Sequence, residues 1–471
     1  MGKCFRSDDL DQTLLLPPSL HDWLPERHLA RFLVDVVNAL DLGAIYGSYE
    51  ENDGRGQAAY APAMMVRVLL YGYCKGIYSS RKMQAATYED VAFRYLAADE
   101  HPDHSTLAEF RKRHLGGLAG LFTQALQLCQ KAGLVKLGHV AIDGTKMQGN
   151  ASKHKAMSYE RMGETEAKLK GEVEELLRRA DAVDAAEDEK YGKGNSGEEL
   201  PAELARRESR IAKIRAAKAE LEAEAKQKAE EKKAAAETKI AERREQEERT
   251  GKKTGGREPQ VPDPEKAVPE PKAQRNFTDP DSRIMPDGSH KGSFVQGYNA
   301  QVAVDGEAQV IVAAEVSQDT NDKHHLAAML EQVKQNVGGK PQAASADTGY
   351  WDPKQVSDPR VQGIDLHVAV GKQKHGERNA TAKEDPDAVE SGKPDSLLEQ
   401  MKQKLKTEAG RDLYRMRKAI VEPVFGQIKE QRGMRRFLLR GLQNVRAEWK
   451  LICLTHNLLK LFRSGRAFQV T

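Results

Sequence analysis

The sequence predicts a mixed α/β protein that is preceded by a helical block and interrupted by a long charged insertion. Three observations support this prediction. Apolar residues recur at three- and four-residue spacing through the first part of the chain, which is typical of helices. A central stretch consists largely of Ala, Glu, Lys and Arg. Short strand-like runs, one before that stretch and several after it, alternate with helical runs, and at 471 residues the chain is too long for one ordinary domain.

Composition and charge exclude several classes of protein. The 74 Lys and Arg residues nearly balance the 71 Asp and Glu residues, and 39% of the residues are hydrophobic, which favours a folded chain over a disordered one. No run approaches the roughly 20 apolar residues of a membrane helix. No apolar signal-peptide core follows the N-terminus, so we expect a cytoplasmic protein. Cys4, Cys74, Cys129 and Cys453 form no CxxC pair, which suggests neither disulfides nor a zinc site.

The helical block is assigned to residues 1–134. Its apolar spacing and start signals predict four helices, namely Pro25 to Leu40, Pro62 to Ile77, Ser80 to Ala97 and Ser105 to Ala132.

Basic residues cluster in the last of these helices. Thr106 and Glu109 have the spacing of a capping box, and Arg111, Lys112 and Arg113 follow them. Basic side chains on such a helix suit DNA phosphates or a major groove. A solvated charged face explains the cluster equally well. We therefore expect a helical N-terminal DNA-binding domain, with these three residues as its contacts.

The charged insertion is assigned to residues 157–253. Its apolar residues follow coiled-coil spacing on both sides of the glycine-rich segment Tyr191 to Gly197, which predicts an antiparallel coiled-coil hairpin. The proline- and glycine-rich residues 254–290 read as a disordered linker, and a second such gap runs from His375 to Pro394.

The α/β core is split by this insertion, with its first strand in residues 135–156 and the remainder in residues 291–463. The first strand is expected at Leu137 to Ile142. The elements expected after it are a hairpin of Tyr298 to Val304 and Gln309 to Val316 across Asp305-Gly306, a helix from about Lys323 to Asn336 capped by Asn321 or Asp322, strands at Ala343 to Ala346 and Leu366 to Val370, and a helix from Leu397 to Gly433. This order is that of a ribonuclease-H-like α/β sheet.

Three carboxylates stand where such a sheet would carry chemistry. Asp143 and Asp347 each end a predicted strand, and Glu422 lies on the closing helix. Each alone is more often a cap of a turn or helix, but together they suit phosphodiester chemistry with two hard cations. Mg²⁺ binds few carboxylates and retains waters, so three converging acids suffice. The sequence contains no GxxxxGK[ST], HExxH or GxSxG motif that would offer a better catalytic set.

The closing helix also carries a predicted cationic face. Arg415, Lys418 and Lys429 share a face with Glu422 by their spacing, which suits contact with DNA phosphates beside the acid. A solvated ion-pair face is the alternative and, taken alone, the better one. Pro423 is expected to kink or restart the helix.

Several short motifs, taken in this order, resemble the DDE transposases of bacterial insertion sequences. They are Ala141 to Lys146 with Asn150 to Lys153, Gly297 to Gln301, Ala346 to Tyr350, and Val421 to Lys429. The resemblance covers nearly the whole chain. It implies a ribonuclease-H-like catalytic core and a helical N-terminal domain that binds the element's terminal repeats.

The resemblance also implies roles for individual residues. Asp143, Asp347 and Glu422 would be the acidic triad that binds catalytic Mg²⁺, with Mn²⁺ able to substitute. In the Tyr-Arg-Glu-Lys signature of this family, Lys429 matches the Lys. Counting back from Glu422 gives Lys418 and Arg415 at the Arg and Tyr positions, whereas Tyr414 and Arg417 keep the internal spacing one residue early. The expected DNA contacts are Lys429, Lys418, Arg415, Lys146, Arg111, Lys112 and Arg113.

The expected function is therefore that of a transposase, acting as a homodimer in the cytoplasm at the nucleoid. It would bind terminal inverted repeats in double-stranded DNA, cleave at the element ends by Mg²⁺-assisted hydrolysis and join the freed 3′ hydroxyls to target DNA. Two alternatives stay open. One is a nuclease of the same fold without strand transfer, and the other is a DNA-binding coiled-coil protein with a degenerate, inactive core.

Overall fold

The structure is a computed structural model, and it describes residues 19–50, 58–191, 200–251, 259–287, 292–370 and 397–466. The chain divides into two compact units, one formed by Met1–Met147 with Asn299–Thr471 and the other by Gln148–Tyr298. The gap expected from His375 to Pro394, and the glycine-rich segment after Tyr191, lie outside the described residues.

The N-terminal part of the first unit is helical, as expected. Its described helices are α1 Leu29–Ala39, α2 Gly43–Glu50, α3 Pro62–Lys75, α4 Ser80–Glu89, α5 Val91–Leu96, α6 His104–Arg113 and α7 Leu115–Lys131. The helix expected over residues 80–97 is divided because Asp90 accepts the N–H groups of Ala92 and Phe93 and starts a new helix. The capping box expected at Thr106 is wrong, since Asp103 caps α6 by accepting the N–H of Ser105.

The strands of the described chain are β1 His139–Gln148, β2 Ala156–Ser158, β3 Gln274–Asn276, β4 Arg283–Pro286, β5 Phe294–Asp305, β6 Ile311–Ser317, β7 Ala343–Ala346 and β8 Asp365–Val368. In the first unit they lie in the order β6-β5-β1-β7-β8. Strands β1, β7 and β8 are parallel, and β5 and β6 are antiparallel. This mixed sheet is consistent with the expected ribonuclease-H-like order.

The expected hairpin is confirmed as β5 and β6, but its turn differs in detail. The positive φ angle falls at Gln309, at 58°, and not in the Asp305-Gly306 pair. Gly306 is needed for close packing instead, because a Cβ there would lie 3.1 Å from the carbonyl oxygen of His139 and 3.0 Å from Ile420 Cδ1.

The second half of the first unit contains α10 Leu326–Val337, α11 Pro353–Val356, α12 Leu397–Lys406, α13 Glu408–Gly426 and α14 Leu442–Ser464, with a π-helical turn at Gln427–Gln431. Helix α10 begins three residues later than expected, and neither Asn321 nor Asp322 caps it. The single helix expected from Leu397 is divided at Thr407, whose hydroxyl accepts the N–H of Gly410.

Of the kink or restart expected at Pro423, the restart is wrong, because α13 continues through Pro423 to Gly426. Proline lacks the N–H that would bond to the carbonyl four residues earlier. That carbonyl, of Ala419, accepts a hydrogen bond of 2.9 Å from Gln309 Nε2 instead. The lost helical bond is therefore replaced from the β5–β6 turn, and the helix is not forced to end.

The core of the first unit centres on the sheet and α14. Helix α14 packs on α7 and β6, and its residues Leu451, Ile452, Cys453 and Leu454 are all fully buried. Its buried residues also include Glu448, Thr455, His456 and Asn457, so the sequence of the helix shows no clean apolar stripe. Such a helix was not among the predicted elements.

In the second unit, α8 Tyr159–Tyr191 packs against α9 Leu200–Thr250. Glu166 pairs with Arg215 and Glu172 with Arg207, so the two helices run in opposite directions. Their buried contact residues are Met162, Leu169, Ile211, Ile214, Ala217 and Leu221.

The expected disordered linker does not fit residues 259–287. They contain a 3₁₀ turn at Pro264–Lys266, β3, which pairs with β2, and β4, which pairs with the start of β5. Arg275 in β3 is buried and donates to the carboxylates of Glu220 and Glu224 on α9. These non-local contacts give order to a segment whose composition predicts none. Across the described chain, no helix has both the length and the hydropathy needed to cross a membrane.

Candidate active site

Two of the predicted carboxylates stand together at one edge of the sheet. Ile142 of β1 pairs with Ala346 of β7 in parallel register, so the residues that follow them, Asp143 and Asp347, lie side by side. Asp347 follows the end of β7, as expected, but the strand end expected at Asp143 is wrong, because β1 continues to Gln148. Adjacent strands are about 4.8 Å apart, which places the two side chains as neighbours. Asp347 Oδ1 accepts the N–H of Gly349 at 2.9 Å and so turns the chain away from the strand.

The charges of these two aspartates are poorly solvated. Burial raises the pKa of Asp143 to about 6, while Arg417 opposes the rise and the charge of Asp347 adds to it. Burial also raises the pKa of Asp347, and Arg417 opposes this shift too. A buried pair of like charges with shifted pKa values is typical of a functional site.

Arg417 of α13 is the basic partner of Asp143. Its Nη1 lies 3.0 Å from Asp143 Oδ2, and its guanidinium lies 5.7 Å from the centre of the Tyr414 ring. Arg415 and Lys418, the predicted contacts on this helix, are exposed. The structure thus brings Tyr414 and Arg417 into the site. They have the Tyr-to-Arg spacing of the family signature, but each stands one residue before the position counted back from Glu422. That spacing was the sequence signal for Arg417.

Glu422 is exposed on α13, five residues after Arg417. Within the part of the chain that the structure describes, no three His, Cys, Asp or Glu side chains lie close enough to hold a metal ion. The structure therefore brings Asp143 and Asp347 together but does not add Glu422 to them as a formed cluster.

Two predicted lysines lie at the end of β1. Lys429, on the π-helical turn, donates from Nζ to the hydroxyl of Thr145 and to the carbonyl of Lys146, the latter at 3.3 Å. Lys146 Nζ lies 3.4 Å from Asp322 Oδ1. A π-turn inside an α-helix is frequent at functional sites. Both ammonium groups are thus positioned within a few residues of Asp143.

Asp322 is a site residue that sequence reasoning missed. Its Oδ1 accepts hydrogen bonds from Asn299 Nδ2 at 2.6 Å and from Gln301 Nε2 at 2.7 Å. The sequence suggested only a helix cap at this position, because an Asp before a helical run is most often one. Its true neighbours come from β5, about 20 residues away, and no local pattern predicts them.

The basic cluster of α6 is divided by the fold. Arg111 is buried, and its Nη1 donates to the carbonyl of Tyr78 at 3.0 Å. The DNA contact expected at Arg111 does not fit this placement, because its guanidinium is hydrogen-bonded inside the helical block. Lys112 and Arg113 are exposed, and Arg113 donates to the carbonyl of Ser48 at 3.0 Å.

The mixed sheet carries two aspartates on adjacent parallel strands, and α13 brings a basic group to them. These features define an α/β protein consistent with a ribonuclease-H-like domain. Two family models match the chain: Transposase domain (DUF772) over residues 18–113 and Transposase DDE domain over residues 267–458. The chain is thus a DDE transposase of an insertion sequence, an enzyme family that acts on DNA. The second match includes Asp347 and Glu422, whereas Asp143 lies outside both. No curated protein and no solved structure matches the chain.

Proposed function

We propose that the protein binds the terminal inverted repeats of its element, cleaves the DNA at the element ends and joins the freed 3′ hydroxyls to target DNA. The observation that supports this most strongly is the pair of partly buried aspartates on neighbouring strands, Asp143 within β1 and Asp347 directly after β7, in a chain whose family acts on DNA. Cleavage of a phosphodiester needs an activated water and a stabilised leaving oxygen, which divalent cations held by carboxylates can provide.

The donors at the site fit a divalent cation in their chemistry. Carboxylate and amide oxygens are the ligands that Mg²⁺ prefers. Asp143 and Asp347 supply carboxylates, and Asn299 Oδ1 is a buried oxygen that receives no hydrogen bond from the described residues. A bound Mg²⁺, or Mn²⁺ in its place, would polarise the phosphodiester and activate the attacking oxygen. We assign the third carboxylate to Glu422, which stands on α13, the helix that brings Arg417 to Asp143.

The basic residues divide into two groups of proposed DNA contacts. Lys429, Lys146, Lys418 and Arg415 would hold phosphates near the cleaved bond, because two of them are anchored at the end of β1 and the others are exposed on α13. Lys112 and Arg113 would contact the terminal repeats from the helical block. Arg111 is not among these contacts, because it is buried.

Assembly and location follow from the same proposal. Two element ends must be held at once, so we propose a homodimer that acts at the nucleoid. We further propose that α8 and α9 form an antiparallel coiled coil, because they run in opposite directions around a shared apolar core.

The proposal is tested with DNA that carries the two flanks of the gene. Wild-type protein, Asp347→Asn and the control Asp35→Asn, an exposed residue of α1, are incubated with that DNA and Mg²⁺. We expect wild type and the control to cleave and join the ends, and Asp347→Asn to bind them without cleavage. Cleavage without joining would favour the nuclease. End binding without cleavage by any of the proteins, also in Mn²⁺, would favour the inactive DNA-binding protein.

A further inference from the structure

The carboxylate of Asp322 lies beside both Asp143 and Asp347. A Cβ on Gly144, the residue after Asp143, would lie 2.9 Å from Asp322 Oδ1. A Cβ on Gly349 would lie 3.3 Å from Asp322 Oδ2 and 3.0 Å from Asp347 Oδ1. Both positions are glycine, so the carboxylate of Asp322 can approach Asp143 and Asp347, where a larger residue would exclude it.

Buried groups hold this carboxylate in place. Asn299 and Gln301, which are fully buried and lie two residues apart on one face of β5, both donate to Oδ1. The carbonyl of Gln301 in turn accepts from Trp449 Nε1 at 3.1 Å. Lys146 Nζ, 3.4 Å from Oδ1, supplies a positive charge. These contacts are not those of a helix cap, and Asp322 does not cap α10.

Two oxygens of this cluster are left without donors. Asp322 Oδ2 receives no hydrogen bond from the described residues, and Asn299 Oδ1 is buried and equally without a partner there. A buried acceptor without a partner is costly. The two oxygens belong to neighbouring groups, because Asn299 Nδ2 donates to Asp322 Oδ1 at 2.6 Å. The charge of Asp322 also raises the pKa of the neighbouring Asp347.

We propose that Asp322 is a further carboxylate of the active site, which binds a divalent cation together with Asp347 and the amide oxygen of Asn299. The inference rests on the proposed function, since it extends the same site. Two carboxylates, a neutral oxygen and waters are a usual ligand set for Mg²⁺. Lys146 is the counter-charge of Asp322 when no cation is bound.

The test measures Mn²⁺ binding to the full chain without DNA, by the loss of the free Mn²⁺ signal in electron paramagnetic resonance. Asp322→Asn keeps the shape and the accepting oxygen but removes the charge. We expect it to weaken Mn²⁺ binding about tenfold or more. The matched control is Asp319→Asn in the same loop, a half-exposed residue that pairs with His325, and it should bind as wild type does. A purely structural role for Asp322 would lower the melting temperature and leave Mn²⁺ affinity unchanged.

The outcomes separate this inference from the proposed function. Wild-type Mn²⁺ affinity in Asp322→Asn, with loss of binding in Asp143→Asn, would overturn the inference and leave the proposed function standing. Unchanged affinity in both variants, with no cleavage by wild type, would overturn the proposed function itself. If Asp322→Asn does not fold, Lys146→Met tests the same point. Removal of the competing ammonium should tighten Mn²⁺ binding, and an unchanged affinity would overturn the inference.

Discussion

Replacement of Arg417 by Met removes the buried cation that faces Asp143 while keeping a long apolar side chain. The guanidinium is 6% exposed and lies 3.0 Å from the carboxylate. Loss of one partner from a buried ion pair leaves the other charge uncompensated, which costs about 3–5 kcal/mol. The pKa of Asp143 is already about 6 despite the opposing charge of Arg417, so it should rise further in Arg417→Met.

The loss of stability should therefore depend on pH. A carboxyl group whose folded-state pKa is raised contributes most below its unfolded pKa of 3.8, and this contribution is lost as pH rises through the folded pKa. In wild type that loss takes place between the unfolded pKa of 3.8 and the folded pKa of about 6, and in Arg417→Met it extends to higher pH. Each further unit in pKa costs about 1.4 kcal/mol. A rise of about two units makes the variant about 2 kcal/mol less stable, relative to wild type, at pH 8 than at pH 5.

Thermal unfolding without divalent cations, at pH 5 and pH 8, measures this difference. Arg417→Met should lose much more melting temperature at pH 8 than at pH 5. Arg415→Met is the matched control, because Arg415 is exposed two residues earlier on α13, and it should change little at either pH. Equal losses for Arg417→Met at the two pH values would refute the ionic account of the Arg417–Asp143 contact.

Three further predictions concern charges outside this pair. The double variant Lys112→Ala, Arg113→Ala should weaken binding to the element ends and reduce the salt dependence of binding, as fluorescence anisotropy measures. Arg111→Ala should instead lower the melting temperature in thermal unfolding, because Arg111 donates inside the helical block. Lys429→Gln should reduce cleavage in a gel assay with little change in end binding, because its ammonium is fixed at the end of β1; unchanged cleavage would remove it from the site. Burial raises the pKa of Glu448 to about 7, so its charge destabilises the fold more at pH 8 than at pH 6. Glu448→Gln should therefore raise the melting temperature more at pH 8 than at pH 6. An equal change at both pH values would contradict the buried charge.

Local pattern was sufficient to predict the presence of β1, β5, β6, β7 and β8, and insufficient for the parts that depend on distant contacts. Strand β7 was predicted with its observed bounds, because four small or apolar residues between turn formers leave little choice. Helix α14 was missed because its buried face includes Glu448, Thr455, His456 and Asn457, which interrupt any apolar stripe. The order of residues 259–287 was missed because it arises from pairing with β2 and β5 and from ion pairs with α9.

The same distinction explains the active site. Asp143 and Asp347 could be placed from sequence, since the carboxyl ends of parallel neighbours must meet at one edge of the sheet. The spacing of Tyr414 and Arg417 indicated the basic partner but did not decide it, because the phase of α13 sets which of its cations faces the sheet. The buried stripe that includes Ile420 and Val424 turns Arg417 inward. Arg415 lies about 160° around the helix from Arg417 at 100° per residue. It therefore faces solvent.

The charged side chains of the site partly compensate one another. The carboxylates of Asp143, Asp322 and Asp347 face the cations of Arg417 and Lys146, which leaves one negative charge in a poorly solvated space. Each of these cations is a competitor for the proposed divalent ion, so a bound ion must exceed their attraction to the carboxylates. The two cations would therefore reduce the repulsion among the carboxylates and lower the affinity of the site for the ion. Wild-type Mn²⁺ affinity should therefore be weaker than that of Lys146→Met, and the ionic contribution of Arg417 to stability should shrink as the ion concentration rises.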